Sequence, residues 1–291
     1  MARAQEMEPR AYSVSPIGTN FFVVAAGATQ GSILFDPTVP ITDTQADLGV
    51  ATLGYGRTFD LWGRQGLAAV AVPAAWGHIE GLLMEESQRV GRSGFGDLRF
   101  KMAVNLVGPK AMRPEEFHKA PRQTVLGASL TVQVPTGEYD ETKLINLGTN
   151  RFALKPEVGI SVPAGRWYLD AYAGVWFFET NDDFFPEDAT RRQDPLAALQ
   201  AHATCTFKNR VWMAINTTWY TGGSATVDSG SPSERQNNSR IGGTLSVPIT
   251  ARQSLKFAAS TGASTRTGSD FDTYLLAWQF TWFDRPSGGP P

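Results

Sequence analysis

Around residue 100 the chain sets Leu98, Phe100, Met102, Val104 and Leu106 on alternate positions, with Asp97, Arg99, Lys101, Ala103 and Asn105 between them. Alternation of this kind puts the two sets on opposite faces of a β-strand. One face is oily and the other ionic. The split recurs at Phe152, Leu154, Pro156, Val158 and Ile160 against Arg151, Ala153, Lys155, Glu157 and Gly159. It recurs again at Leu126, Ala128, Leu130, Val132 and Val134 against Gly127, Ser129, Thr131 and Gln133. Segments of this kind must give their apolar faces a second solvent, either the interior of a sandwich or lipid.

Read with period two, the chain resolves into about a dozen alternating segments. Their cores lie near 19–30, 45–58, 66–78, 93–106, 123–134, 150–162, 167–178, 196–207, 211–221, 239–247, 254–265 and 272–283. Segments of about 12 residues exceed the usual globular strand of about 5–6 and satisfy the minimum of about 9–11 for a tilted spanning strand. Short connections ("FDLWGRQ", "PAGR", "KNR", "PITARQ") take turns with longer polar ones at 31–44, 80–92, 137–148, 179–195 and 222–238; "GPKAMRPEEFHKAPR" is the exception. Tight turns at one end and long loops at the other are the habit of outer-membrane barrels. The last segment carries Tyr274, Leu276, Trp278, Phe280 and Trp282 on one face, and aromatics crowd other segment ends, where rings form interfacial girdles. The expected fold is all-β: a single antiparallel transmembrane β-barrel of about 12 strands over residues 18–283. Residues 1–17 are expected as an N-terminal periplasmic extension, and 284–291 as a disordered tail.

Composition removes other classes. A net charge of −2 and a pI near 6.0 offer no attraction for nucleic acid. Mean hydropathy is −0.22 and there is no long apolar run for a spanning helix, which leaves a spanning barrel untouched. The single cysteine, Cys205, has no partner for an internal disulfide or a cysteine zinc pair. Ala2-Arg3-Ala4 has the small-x-small form of a signal-peptidase site with no apolar run before it: either chance or the mature end of an exported precursor.

The inward faces then receive Arg99, Lys101, Arg151, Lys155, Arg240 and Lys256 against Asp97, Glu157 and Asp170, with His202 beside them. Arg and Lys at these positions read as a selectivity path for anionic or polar aromatic solutes, or as a salt-bridge ladder filling a narrow barrel. Tyr168 and Tyr172 share the inward face with Asp170, placed to stack an aromatic solute or to fill volume. Met102, on the lipid face, is expected to tolerate arginine worse than Ala103, on the inner face. The acidic loop 179–195 lacks the spacing of a calcium loop and reads as solvated, so neither metal nor cofactor is expected. With only His78, His118 and His202, and no G-x-S-x-G, the chain is not read as an enzyme.

The stretches "PIGTNFF", "GRSGFGDLRFKMAVNL", "LGASLTVQVPTGEYD" with "LINLGTNRFALKPEVG", "AYAGVWFF" with "NDDFF", and "NSRIGGTLS" with "SLKFAASTGASTR" carry a family resemblance. Over nearly all of the chain after Pro16, it resembles the outer-membrane family named for the meta-pathway of phenol degradation. That resemblance implies a transporter barrel in the bacterial outer membrane and assigns no residue roles. The expected function is a channel passing small aromatic or anionic solutes passively, with outer-membrane lipid and lipopolysaccharide as surroundings and no nucleic-acid partner. The alternatives are a closed structural barrel that meets lipopolysaccharide or a partner protein through its long loops, and an outer-membrane hydrolase.

Overall fold

The computed structural model describes residues 7–32, 41–83, 86–186, 188–265 and 270–284. The Ala2-Arg3-Ala4 box and the tail from 285 onward lie outside the described residues. The elements in chain order are β1 (Thr19–Ser32), β2 (Ile41–Leu61), β3 (Arg64–Leu83), β4 (Glu86–Phe95), β5 (Leu98–Val107), α1 (Pro114–Phe117), β6 (Val125–Val134), β7 (Ala153–Ala164), β8 (Trp167–Phe178), β9 (Asn181–Phe184), β10 (Ala189–Gln193), β11 (Leu196–Thr206), β12 (Trp212–Gly222), β13 (Ala225–Val227), β14 (Gln236–Pro248), β15 (Gln253–Thr265) and β16 (Asp270–Phe283).

Antiparallel neighbours follow the chain around a ring, and β1 pairs with β16 from Thr19↔Phe283 to Ser32↔Asp270, which closes it. β4 and β5 pair with successive stretches of β3, Ala74–Leu83 and Gly66–Ala71, so they are two halves of one wall strand broken at Gly96 and Asp97. The sheet's thirteen strands, less that duplication, make a closed twelve-stranded antiparallel barrel. β2 and β3 meet at Trp62 and Gly63, whose φ values of 52° and 79° are those of a tight hairpin turn.

Burial is inverted relative to a soluble domain. Phe100, Met102, Val158, Ile215 and Leu276 are exposed, while Lys155, Asn216, Thr218 and Arg240 are at most 2% exposed. The apolar side chains form the outer wall because lipid is their solvent, and each polar neighbour faces the lumen.

The wall is uneven. β2 and β3 run 21 and 20 residues, about 70 Å at about 3.3 Å per residue, whereas β6 and β7 run 10 and 12, about 33–40 Å. The stretch 80–92, expected as a loop, instead continues the β3–β4 ladder through Glu80↔Arg89. Consecutive apolar residues at 82–84 followed by consecutive polar ones at 85–89 leave no period of two to read there. Two further expected loops contribute β9, β10 and β13, a small separate sheet whose strands of three to five residues are too short to show a period.

Residues 7–17, expected as part of a periplasmic extension, make contacts with inward-facing side chains. They turn back from the tight-turn end and run inside the barrel, where Tyr12 is 1% exposed.

Candidate functional site

The inner wall has two characters. On the side of β1–β3, β15 and β16 it is built from small or aliphatic side chains such as Val50, Ala71, Ala75, Ala258 and Leu275. On the flanking strands β5, β6, β12 and β14 and the break before β5 stand Asp97, Arg99, Gln133, Asn216 and Arg240. Together they bound a cavity of about 330 Å³, which Met7 of the N-terminal segment also lines. Arg240 donates from Nη2 to Ser260 Oγ at 3.0 Å and lies 4.0 Å from the ring centre of Phe271, so its charge is held at the cavity wall.

Asp97 also holds a loop. Its carboxylate accepts from Gln133 Nε2 (2.9 Å), the Gly137 amide (3.0 Å), and the Thr149 amide (2.9 Å) and hydroxyl (2.6 Å). It ties the loop after β6 across the short side of the wall. Within that loop the side chains of Lys143 and Thr142 hold the Asp140 carboxyl down at about 2, and burial pushes the Tyr139 phenol up, leaving it protonated to donate to the Asp183 carbonyl at 2.7 Å. Arg151 also belongs to the loops: it bonds Gln193 and lies 4.9 Å from the Phe178 ring centre.

The N-terminal segment uses most of the other expected site residues. Glu8 Oε2 meets Lys101 Nζ at 2.6 Å. The Ala11 amide donates to the Tyr172 hydroxyl at 3.1 Å, and the Tyr12 and Tyr172 rings meet edge to face at 5.2 Å. Tyr12 Oη lies 3.0 Å from Ser129 Oγ and 3.2 Å from Glu157 Oε1, while Glu157 Oε2 takes Lys155 Nζ at 3.2 Å. The Tyr12 ring fits because Gly127 and Gly159 have no side chains: a Cβ at either would lie 2.2 Å from a ring carbon. Ser15 donates its amide to Gln65 Oε1 at 2.7 Å, and Ile17 to the Met112 carbonyl at 2.8 Å. Ala103, expected to take arginine more easily than Met102, packs against Tyr12, Val125 and Tyr172 at 8% exposure. None of these N-terminal residues stood out in the sequence; paired inward glycines in adjacent strands were the available signal.

The remaining positions sit nearer the tight-turn end. His202 shares a 2.9 Å bond between Nδ1 and Asn216 Oδ1, and its ring lies 5.1 Å from that of Tyr172. The Asp170 carboxylate is buried, and neither oxygen bonds a described group. Tyr168 and Lys256 flank the mouth. At the opposite end, Glu141, Asp183 and Asp188 bring carboxylate oxygens within 4.8 Å of one another, all exposed. Glu141 joins that acidic group from a different loop, which the sequence does not reveal.

Residues 27–286 match the protein family described as "Putative MetA-pathway of phenol degradation". The chain belongs to that family. Among solved structures its fold is similar to the COG4313 outer membrane channel from Pseudomonas putida F1, with a TM-score of 0.77 and 19% identity over 95% of this chain and 100% of that one. The transport unit of the autotransporter AIDA-I from Escherichia coli (TM-score 0.53, 10% identity, 94% and 95% covered) is similar in fold. So is the TodX monoaromatic hydrocarbon channel deltaS2 mutant (TM-score 0.53, 10% identity, 96% and 93% covered). Among curated proteins no sequence matches. For this family member, likeness at such low identity is a likeness of fold.

Proposed function

We propose that the protein is a channel of the bacterial outer membrane that passes small aromatic or anionic solutes without bound cofactor or turnover. The observation that carries this reading is the two-faced cavity. Small apolar side chains accept a ring, and the guanidinium groups of Arg99 and Arg240 on flanking strands bring positive charge toward an anionic or hydroxyl group. Family membership and the barrel fold it shares with outer-membrane channels support it. The monoaromatic channel whose fold is similar supports the choice of aromatic solutes.

The rival reading is a closed barrel that acts through its outer loops on lipopolysaccharide or a partner protein. Occupation of the lumen by residues 7–17 favours it. A hydrolase has little to build on, since among the described residues His202 bonds Asn216 rather than a serine.

Planar-bilayer conductance and liposome swelling with phenol, benzoate and a sugar of similar size decide between them. The channel reading expects flux of the aromatic solutes above that of the sugar. Absence of flux for every solute, both in the full chain and in a variant lacking residues 1–12, would leave the closed barrel.

A further inference from the structure

Positive charge gathers where the lumen opens at the tight-turn end. Tyr168 stands near the start of β8 and Trp212 starts β12, and Arg10 of the N-terminal segment spans both rings. Its guanidinium carbon is 5.8 Å from the Tyr168 centroid and 5.4 Å from that of Trp212. Arg122, on the connection before β6, lies 5.4 Å from the Tyr168 centroid, and Lys256 Nζ lies 5.9 Å from that of Trp212. Arg10 donates to Ser13 Oγ (3.3 Å) and Arg122 to the Gly165 carbonyl (2.7 Å). Among the described residues, none of the three cations is in an ion pair.

Three like charges around two rings repel one another unless an anion joins them. Asp170 is the carboxylate next inward on β8, and it leaves the cluster with a surplus of positive charge. Thr204 pairs with Tyr168 and Thr206 with Trp212 across the wall, and both hydroxyls are buried without a described hydrogen-bond partner. Tyr168, Trp212 and Lys256 are half-buried and Arg122 exposed, so the cluster is reached from the mouth. An occupant that satisfies it is anionic, to join the cations, and flat, to lie against the rings.

We infer that this mouth is a binding station for a small aromatic carboxylate. Arg10, Arg122 and Lys256 take the carboxylate, and Tyr168 and Trp212 take the ring. The charge of Asp170 keeps the anion from moving deeper. Its role as the last stop before release to the periplasm rests on the proposed solute passage; the binding itself does not.

Calorimetric titration of the purified full chain in detergent tests it, with benzoate as the probe. Benzamide supplies the ring without the charge, cyclohexanecarboxylate the charge without the aromatic face, and inorganic phosphate an anion alone. Benzoate is expected to bind at least about tenfold tighter than each, the scale of one cation–π or charge-assisted contact. Lys256→Met and Trp212→Leu should each weaken it about tenfold. Arg122→Ala, in an exposed connection, should weaken it as well and guards against a folding defect in the wall variants. Equal binding of benzamide or phosphate, or benzoate binding unchanged in all three variants, overturns the station. Liposome swelling with phenol separates the two readings. Phenol flux with benzoate binding insensitive to the variants would refute the station and keep the channel. Benzoate binding that depends on Lys256, with no flux of any solute, would keep the station and refute passage.

Discussion

Gly127 and Gly159 pair directly across β6 and β7, and together they leave the gap in the inner wall that the Tyr12 ring fills. Glycine within a strand weakens it, so a pair at one register position marks a place where something approaches closely. Here the approaching group is the chain's own N-terminal segment.

Filling the gap should therefore empty the lumen. In Gly127→Val the new Cβ falls 2.2 Å from a Tyr12 ring carbon, and strand pairing holds the backbone while the short N-terminal segment is free to leave. Single-channel conductance is expected to rise and residues 7–17 to become cleavable by protease, with heat-modifiable migration retained. Wild-type conductance together with a protease-resistant N-terminus would show that the segment seats without Tyr12 in its gap.

Two contacts of the segment differ in weight. The Glu8 side chain is 47% exposed, so its pair with Lys101 is worth about 0–1 kcal/mol despite the 2.6 Å distance. The Tyr12 hydroxyl is buried against Ser129 and Glu157, where a bond to a charged group is worth about 1.5–3 kcal/mol. Tyr12→Phe should increase the open fraction of single channels more than Glu8→Gln does. The reverse order would move the anchor to the ion pair.

On the outer wall, Met102 is 51% exposed to the lipid side. Met102→Arg is expected to cost about 2–4 kcal/mol of stability at mid-bilayer depth. Thr273→Arg, toward the cavity, should cost less, because the guanidinium keeps a polar environment. Urea unfolding in lipid vesicles measures both; equal costs would place Met102 near the interface.

Loss of the Asp97 carboxylate should free a loop without opening the barrel. Asp97→Ala removes the acceptor shared by Gln133, Gly137 and Thr149, yet no wall pairing between β5 and β6 runs through that side chain. Limited proteolysis is expected to cut within 138–147 while the unfolding midpoint of the barrel changes little. A large fall in that midpoint would make the loop part of the wall's cooperative unit.

The sequence by itself determined the barrel. Which face of each strand meets lipid is written locally, residue by residue, because alternation along one strand needs no knowledge of any other. Leu98 to Leu106 and Tyr274 to Trp282 sort their faces this way, and most wall strands contain such a stretch, the β3–β4 ladder running past it through 80–92. Lys155, Glu157, Asp170 and Arg240 follow the same period, and each is at most 4% exposed.

What fills the lumen was decided only by the tertiary structure. Residues 7–17 carry no period, and their partners are distant: Tyr12 reaches Ser129 and Glu157, 117 and 145 residues away. Those two partners face each other across the β6–β7 ladder, and only the folded barrel brings the N-terminal segment to them. Period left Lys101 and Asp97 open between solute contact and an internal ladder, and only the folded chain sets Glu8 against the one and the loop after β6 against the other. Period encodes the solvent of a face, whereas the contents of the space that the faces enclose depend on contacts that exist only once it is closed.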